Sequence, residues 1–366
     1  MPQKKLPAVF MRGGTSKAIV FHARDLPASR AQWEPIFLSA IGSPDPNMRQ
    51  LNGMGGGVSS LSKVCVIGPP THADADVDYT FAQVHVTKSE VDYTGNCGNC
   101  SSAVGPFAIE EGLVPAREGE TVVRIHNTNT KKLIVSRVPV AGGAPAVRGD
   151  FELPGVAGRG ARIALDFVEP GGAGTGRLLP TGRPRDTVEG VTASLVDASI
   201  PMIFVRAADL GMAGTETPSD VDADAALCAR LETIRVAAAR LMGIPGSAAT
   251  PKVAVVTAPT AFTALDGGRY EAGAVDVVGR AMSMGNCHRA FPLTAAMCLA
   301  VAARVEGSVV QECSTARAGQ DVRLGHPSGV LPLDAAVTRP GGDYHAERVT
   351  VYRTARRLME GWVRIP

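Results

Sequence analysis

Apolar positions in the first half fall in short alternating runs, at 8–11, 18–21, 64–67, 77–86, 122–125 and 132–138, each bounded by Gly, Pro, Asn or Asp. A period of two between turn formers predicts half-buried strands. Two stretches break this rhythm and predict helices. One covers 31–41, with Pro35 marking where its regular part begins. The other covers 100–111 and stops at Gly112, a residue suited to a helix C-terminus. Pro106 lies inside it and predicts a kink or a delayed start. The second half shows strands at 194–196, 202–205, 253–256, 307–311, 322–324 and 346–356, and helices at 220–241 and 291–305. Each half reads as a strand-rich domain folded around one or two helices.

The pattern also repeats in detail. Leu6-Pro7-Ala8-Val9-Phe10-Met11-Arg12 returns as Ile200-Pro201-Met202-Ile203-Phe204-Val205-Arg206. Lys63-Val64-Cys65-Val66-Ile67 returns as Lys252-Val253-Ala254-Val255-Val256, and Gly95-Asn96-Cys97 as Gly285-Asn286-Cys287. Order and spacing are kept, so the chain predicts two similar domains rather than a solenoid. At 366 residues it is long enough for two cores. The glycine-rich turns of 169–185 place the junction near 183–190, giving domains 1–185 and 186–366. Gly171-Gly172-Ala173-Gly174-Thr175-Gly176 lacks the Gly-Lys-Ser/Thr ending of a phosphate loop and reads as a connection.

Composition narrows the classes. With 45% hydrophobic and 20% charged residues, both halves can bury a core. A net charge of +2 without a basic stripe gives no case for nucleic acid. No run approaches the 18 or so apolar residues of a membrane span. The opening Met1-Pro2-Gln3-Lys4-Lys5 lacks the apolar run of a signal peptide. Seven cysteines, an odd count without a framework of spacings, read as reduced thiols in a cytoplasm.

Three segments carry candidate chemistry. In Gly95-Asn96-Cys97-Gly98-Asn99-Cys100 the thiol of Cys97 falls at the start of a helix, where the dipole lowers a thiol pKa and unpaired N–H groups bind anions. Gly95 and Gly98 let the backbone approach a ligand. The Cys-x-x-Cys spacing also suits redox or zinc, but the second copy has Ala290 where a partner would stand, and Cys287-His288 alone makes no zinc set. Metal and cofactor are both expected to be absent. Gly55-Gly56-Gly57-Val58-Ser59-Ser60-Leu61-Ser62-Lys63 leads glycines and serines into a lysine at a strand edge. Burial there lowers an amine's pKa and makes a base, while Ser59 and Ser60 could hold carboxylates. A lone lysine is usually on the surface, yet this one recurs in register as Lys252. Met11-Arg12-Gly13-Gly14-Thr15-Ser16-Lys17 reads as a β-turn or as an anion-binding loop, with Arg12, Thr15 and Ser16 as contacts. His288 and the turn His326-Pro327-Ser328-Gly329 add candidate carboxylate contacts. No Gly-x-Ser-x-Gly elbow supports Ser-His-Asp hydrolysis.

Met11 to Lys17 resembles the signature of the PrpF family, as do Gly42-Ser43-Pro44-Asp45, Ser62-Lys63, Asp76-Val77-Asp78-Tyr79, Gly95-Asn96-Cys97-Gly98-Asn99, Leu179-Pro180-Thr181-Gly182, His326-Pro327-Ser328-Gly329 and Arg353-Thr354-Ala355-Arg356. The resemblance implies an α+β fold like that of diaminopimelate epimerase, in which two pseudo-symmetric domains each wrap a β-sheet or barrel around a central helix, with the site in the cleft between them. It implies a cofactor-independent isomerase of unsaturated polycarboxylates that shifts a double bond by 1,3-allylic proton transfer. Lys63 and Cys97 are the implied acid/base pair. Arg12, Thr15, Ser16, Ser59, Ser60, Asn96, Gly98, Asn99, Lys252, Cys287, His288 and His326 are candidates to hold substrate, with helix N-termini at 98–101 and 287–290 aiding them. Leu179-Pro180-Thr181-Gly182-Arg183-Pro184-Arg185-Asp186 and Cys287-His288 are more similar to 4-oxalomesaconate tautomerases than to 2-methylaconitate isomerases. Ala18 and Cys100 depart from the family pattern. Two other readings stand beside this one: a racemase or epimerase using Cys97 and Cys287 as opposed thiols, and a non-catalytic accessory protein that binds a dehydratase or a carboxylate ligand. A homodimer or larger homo-oligomer is expected from exposed strand edges.

Overall fold

The structure is a computed structural model that describes residues 3–93, 95–247, 250–283 and 285–366. It divides into two units, Met1–Phe167 with Tyr352–Pro366, and Val168–Val351. No helix among the described residues is long and apolar enough to cross a membrane.

In the first unit, β1 (Lys4–Gly13) and β2 (Ser16–His22) form an antiparallel hairpin. β3 (Lys63–Gly68) lies parallel to β2, and β4 (Val77–Val84) antiparallel to β3. Strand Gly119–Asn127 runs parallel to β4, Lys132–Ala141 antiparallel to that, and Ile163–Val168 pairs antiparallel with Lys132–Ala141. On the other side of β1 runs Ala355–Ile365. Helix α1 (Trp33–Ile41) buries Ile36, Phe37, Leu38, Ala40 and Ile41 and stops at Gly42, whose φ of 84° suits a left-handed cap. Phe37 stacks on Phe21, centroids 5.9 Å apart, and each such buried ring contributes about 1.5–3 kcal/mol. Helix α2 (Gly98–Glu110) touches β1 to β4 and the strands at 119–127, 132–141 and 355–365. Every residue from Cys100 to Ile109 is buried, as expected for a helix enclosed by sheet on all sides. Pro106 sits inside α2 without ending it.

The second unit repeats this order. Strands Val191–Ala198, Ile200–Arg206, Lys252–Thr257, Val277–Ser283, Val322–His326, Gly329–Thr338 and His345–Arg353 pair antiparallel, parallel, antiparallel, parallel, antiparallel and antiparallel in turn. The described helices are α3 (Pro218–Ala223), α4 (Ala225–Leu241), α5 (Leu293–Ala302) and α6 (Val309–Cys313). α5 is the enclosed one, buried from Ala295 through Ala302.

The two sheets share a further detail. Asp76, just before β4, accepts from the Arg124 N–H at 2.8 Å and pairs with its guanidinium, while its own N–H donates to Arg124 O at 2.7 Å. Asp276, just before Val277–Ser283, does the same with Arg323, at 2.8 Å in both directions. Each pair clasps the parallel joint that closes the sheet over its helix.

Several expectations change. The strand that runs parallel to β3 is β2, and the one parallel to Lys252–Thr257 is Ile200–Arg206. Ile200–Arg206 therefore corresponds to β2 rather than to the similar-looking Leu6–Arg12. The division falls at 167/168 rather than 185/186, and Ala355–Ile365 joins the first unit because it pairs along β1. The segment 220–241 is two helices, broken at Asp224, whose carboxylate caps α4 through the Leu227 N–H. The 307–311 stretch opens α6 instead of a strand, because Ser308 caps the Gln311 N–H. The glycine run 171–176 closes on the protein's own anion: Gly174 N, Thr175 N and Thr175 Oγ1 all donate to Asp197 Oδ2.

Candidate active site

The first unit gathers Lys63 and Cys97. Cys97 is the N-cap of α2, with φ −108° and ψ 100°, and its Sγ accepts from the Cys100 N–H at 3.4 Å. The thiol is half-buried. The helix end pulls its pKa down, as expected, and so does nearby Lys63 when it carries a proton. Stronger influences oppose them: the neighbouring Cys100 thiol, and burial, hold Cys97 well above the ordinary thiol range. The expectation of a lowered thiol is therefore reversed, and Cys97 rests protonated. The Cys65 thiol in turn raises the pKa of Cys100, and Cys65 reaches the fully buried phenol of Tyr79 at 4.0 Å.

Lys63 opens β3 and is 7% exposed. Its Nζ donates to Gln83 Oε1 at 2.5 Å and sits 5.0 Å from the centre of the Phe81 ring. The cross-strand register places Gln83 opposite Lys63. Gln83 Nε2 donates to Ser59 O and Ser62 O, at 3.1 and 3.0 Å, which leaves the amide oxygen turned toward the lysine. Ser59 is exposed and Ser60 half-buried, in the 3-10 turn Ser59–Leu61 that delivers the chain to Lys63.

Around α2's first turn the chain is held by close backbone approach. A Cβ on Gly13 would come 2.5 Å from Asn99 O. Asn99 Nδ2 donates to Thr15 Oγ1 at 3.1 Å, and Asn99 Oδ1 accepts from Arg353 Nε at 3.0 Å. Arg12 is half-buried and donates to Gly14 O and Thr354 O, at 2.9 and 2.8 Å, so part of its donor capacity fixes the turn. Burial and Arg356 lower its pKa. Ser16 is buried at the hairpin and Thr15 exposed. Asn96 Oδ1 accepts from Ser101 Oγ and Asn127 Nδ2, which orients the loop before Cys97. Gly98 is the first residue of the helix.

The second unit holds Lys252, Cys287, His288 and His326. Lys252 opens its strand as Lys63 does, donates to Ser283 Oγ at 3.0 Å, and burial lowers its pKa. Cys287 does not cap a helix. It lies in the short strand Asn286–Cys287, because Pro292 stands at the N-cap of α5 and delays the helix to Leu293. Its N–H donates to Asp222 at 2.6 Å, and burial pushes its thiol up to about 11. The expected helix end at 287–290 is thus absent, and the two-thiol racemase reading loses its symmetry. His288 accepts from the Ala290 N–H at 3.1 Å, and burial and the charge of Lys252 lower its pKa. His326 is buried and accepts from the Ser328 N–H at 3.1 Å. Among the described residues no cluster of three or more His, Cys, Asp or Glu could hold a metal ion.

Sequence reasoning did not find Gln83, and it quoted Arg353 only within a motif. Gln83 carries a weak signal, as a polar residue near the end of the strand that pairs with the lysine's strand.

The family model described as PrpF protein matches residues 3–366. The chain is 42% identical to 3-methylitaconate isomerase of Eubacterium barkeri, over 99% of this chain and 97% of the relative. It is 40% identical to 2-methyl-aconitate isomerase of Shewanella oneidensis, covering 100% and 98%. It is 39% identical to 4-oxalomesaconate tautomerase of Pseudomonas putida, covering 99% and 97%. The crystal structure of a methylitaconate-delta-isomerase superimposes with a TM-score of 0.93 at 41% identity, covering 100% and 96%. A hydroxyproline epimerase from Agrobacterium vitis, 15% identical with a TM-score of 0.53 over 100% and 94%, shares the fold alone.

Proposed function

This chain belongs to the PrpF family, has the diaminopimelate epimerase-like α+β fold and is an isomerase, and from that premise we propose that it moves a carbon–carbon double bond in a small unsaturated polycarboxylate by 1,3-allylic proton transfer. The observation that carries the reading is the pairing of a buried lysine with a helix-capping thiol in the first unit, the thiol lying within the lysine's electrostatic field. In the reactive form of the site, with its amine deprotonated, Lys63 takes the proton from the allylic carbon. The electron pair spreads through the double bond into the conjugated carboxylate. Cys97, a thiol at rest, gives its proton to the far carbon of the allyl system. Once Lys63 carries the substrate's proton, its charge favours release from Cys97, so the first transfer assists the second. A proton passing from Lys63 to the thiolate restores the starting state.

The N–H groups that open α2 and the guanidinium of Arg12 suit the spreading negative charge. Thr15, Ser16, Ser59, Ser60, Asn96, Gly98 and Asn99 belong to the same unit and offer polar groups to the substrate's carboxylates. The proposed substrate is a tricarboxylate such as 4-oxalomesaconate, and the tricarboxylate 2-methylaconitate and the dicarboxylate 3-methylitaconate are equally supported alternatives, because relatives named for all three stand at 39–42% identity. The Thr181–Asp186 turn that resembles the oxalomesaconate branch is tied internally, Thr181 Oγ1 donating to Asp186 at 2.7 Å, and supports the turn rather than a choice of substrate.

The test is proton NMR of each substrate with purified enzyme in D2O. The wild type should place deuterium at the allylic carbon and shift the double bond in at least one of the three. Lys63→Ala and Cys97→Ser should each lose more than about 100-fold in rate, the usual worth of a general acid or base. Wild-type rates in both variants would sink the assignment.

A further inference from the structure

Arg353 lies outside the acid/base pair, yet its surroundings mark it. It is 5% exposed. Its Nε donates to Asn99 Oδ1 at 3.0 Å and its Nη1 to Tyr352 O at 2.7 Å. Both acceptors are neutral, and two bonds use only part of a guanidinium's five donors. Among the described residues no carboxylate forms an ion pair with Arg353. Four carboxylates of this unit are engaged elsewhere: Glu110 and Glu111 with Arg357, Asp76 with Arg124, Asp166 with Arg137. A buried charge held only by neutral acceptors is costly, and proteins keep one where an anion completes it.

The anchoring fixes where that anion would sit. Asn99 belongs to the first turn of α2, so the guanidinium is tied directly beside the N–H groups that open a 13-residue helix. Asn99 is in turn wedged by Gly13 and Gly14, which admit no side chain, and bonded to Thr15. Cys97, the N-cap of the same helix, lies within the electrostatic field of Arg353. Desolvation brings the guanidinium down to about 10, still charged at neutral pH.

We propose that Arg353 and the opening N–H groups of α2 form the seat for one substrate carboxylate, the guanidinium fork gripping it beside the Cys97 thiol. The inference rests on the reading above that this site takes a polycarboxylate. It names the group that holds the charge next to the proton donor. A planar fork fixes the carboxylate's orientation as well as its charge, which a lysine would not do. Arg12, half-buried with its Nη1 shared between the Gly14 and Thr354 carbonyls, is left as an outer cation.

The experiment separates binding from turnover by titrating tricarballylate, a saturated tricarboxylate that cannot isomerise, into the full-length enzyme by calorimetry. Wild type should bind it, Arg353→Gln about 30-fold more weakly or worse, and Arg353→Lys in between, from the worth of a charge-assisted pair. With a substrate that turns over, Arg353→Gln should raise KM by more than it lowers kcat. Circular dichroism and the unfolding midpoint report whether each variant folds, and if the Gln variant does not, the Lys variant decides. Binding by a folded variant within about threefold of wild type overturns the seat, as does a wild type that binds no tricarballylate. An enzyme that binds tricarballylate through Arg353 yet isomerises none of the three substrates leaves the seat standing and sinks the proposed reaction instead.

Discussion

Replacing Gly14 by alanine tests how tightly the start of α2 is built. Gly14 has a φ of +53°, which costs an L-residue roughly 1–2 kcal/mol. The added Cβ would fall inside contact distance of Asn99 Oδ1 and lie 2.8 Å from Asn99 Cγ and 3.0 Å from its Cβ. Asn99 must then move. It cannot do so freely, because it holds the charged bond from Arg353 and the weaker one to Thr15. Losing or stretching a bond from a charged donor costs about 1.5–3 kcal/mol, so the total is roughly 3–5 kcal/mol, a large part of a domain's stability. Gly112→Ala is the control. Gly112 also has positive φ, +68°, but a Cβ there meets nothing within 4 Å, so it should show only the conformational cost. Urea unfolding gives both values, and the deuterium-exchange assay gives the rates. Gly14→Ala should be the less stable of the two by about 2 kcal/mol or more and should lose most activity, while Gly112→Ala keeps it. Equal destabilisation, or a fully active Gly14→Ala, would refute the wedge.

Cys100→Ala removes the main influence holding the Cys97 thiol up. Cys97 should then ionise at lower pH and be alkylated faster by iodoacetamide at pH 8, by roughly tenfold for each pH unit that its ionisation moves down. Peptide mass spectrometry reads the rate, and an unchanged one would contradict the reading. The second-unit clasp should show in acid. Asp276 titrates below its ordinary value because Arg323 and the Arg323 N–H hold the charged form, although burial opposes them. Its contribution is therefore fully present above the unfolded carboxyl pKa of about 3.9 and is lost as pH falls through the lower folded value. Asp276→Asn should cost about 1–2 kcal/mol at pH 7, Arg323 being partly solvent-screened, and the gap to wild type should close near pH 2; a constant gap would remove the pH-linked role.

The parts of this molecule visible in its sequence are those governed by local rules. Alternation located the strands around Lys63 and Lys252, and the stop at Gly112 located a helix over 100–111, which begins two residues earlier, at Gly98. Enclosure of a helix in each half was expected from strand-rich halves with one or two helices apiece and from the family resemblance. The helices alone do not name their neighbours, because α2 and α5 are buried along most of their length and present no exposed stripe. Pro292 shows a local signal overriding a repeat: Cys287 copies Cys97 in sequence, but the proline postpones the helix and leaves the second thiol in a strand. Leu6–Arg12 misled in the opposite way, since its likeness to Ile200–Arg206 is one of composition, and only strand pairing reveals β2 as the true counterpart. Gln83 and Arg353 escaped for a common reason. Each acts through a partner brought by cross-strand register or by the returning chain, and neither partner is near in sequence.

The returning strand has a consequence for the order of events during synthesis. β1 takes Ala355–Ile365 as its neighbour along its whole length, Lys4 lying opposite Ile365. The unit that begins first therefore cannot be finished until these last residues have emerged, whereas Val168–Val351 is complete earlier. Domains usually mature from the N-terminus onward; here the younger half closes first. The lysine and thiol of the older half wait with an open sheet edge beside β1. That exposed edge is where a stalled or shortened chain would stick to its neighbours.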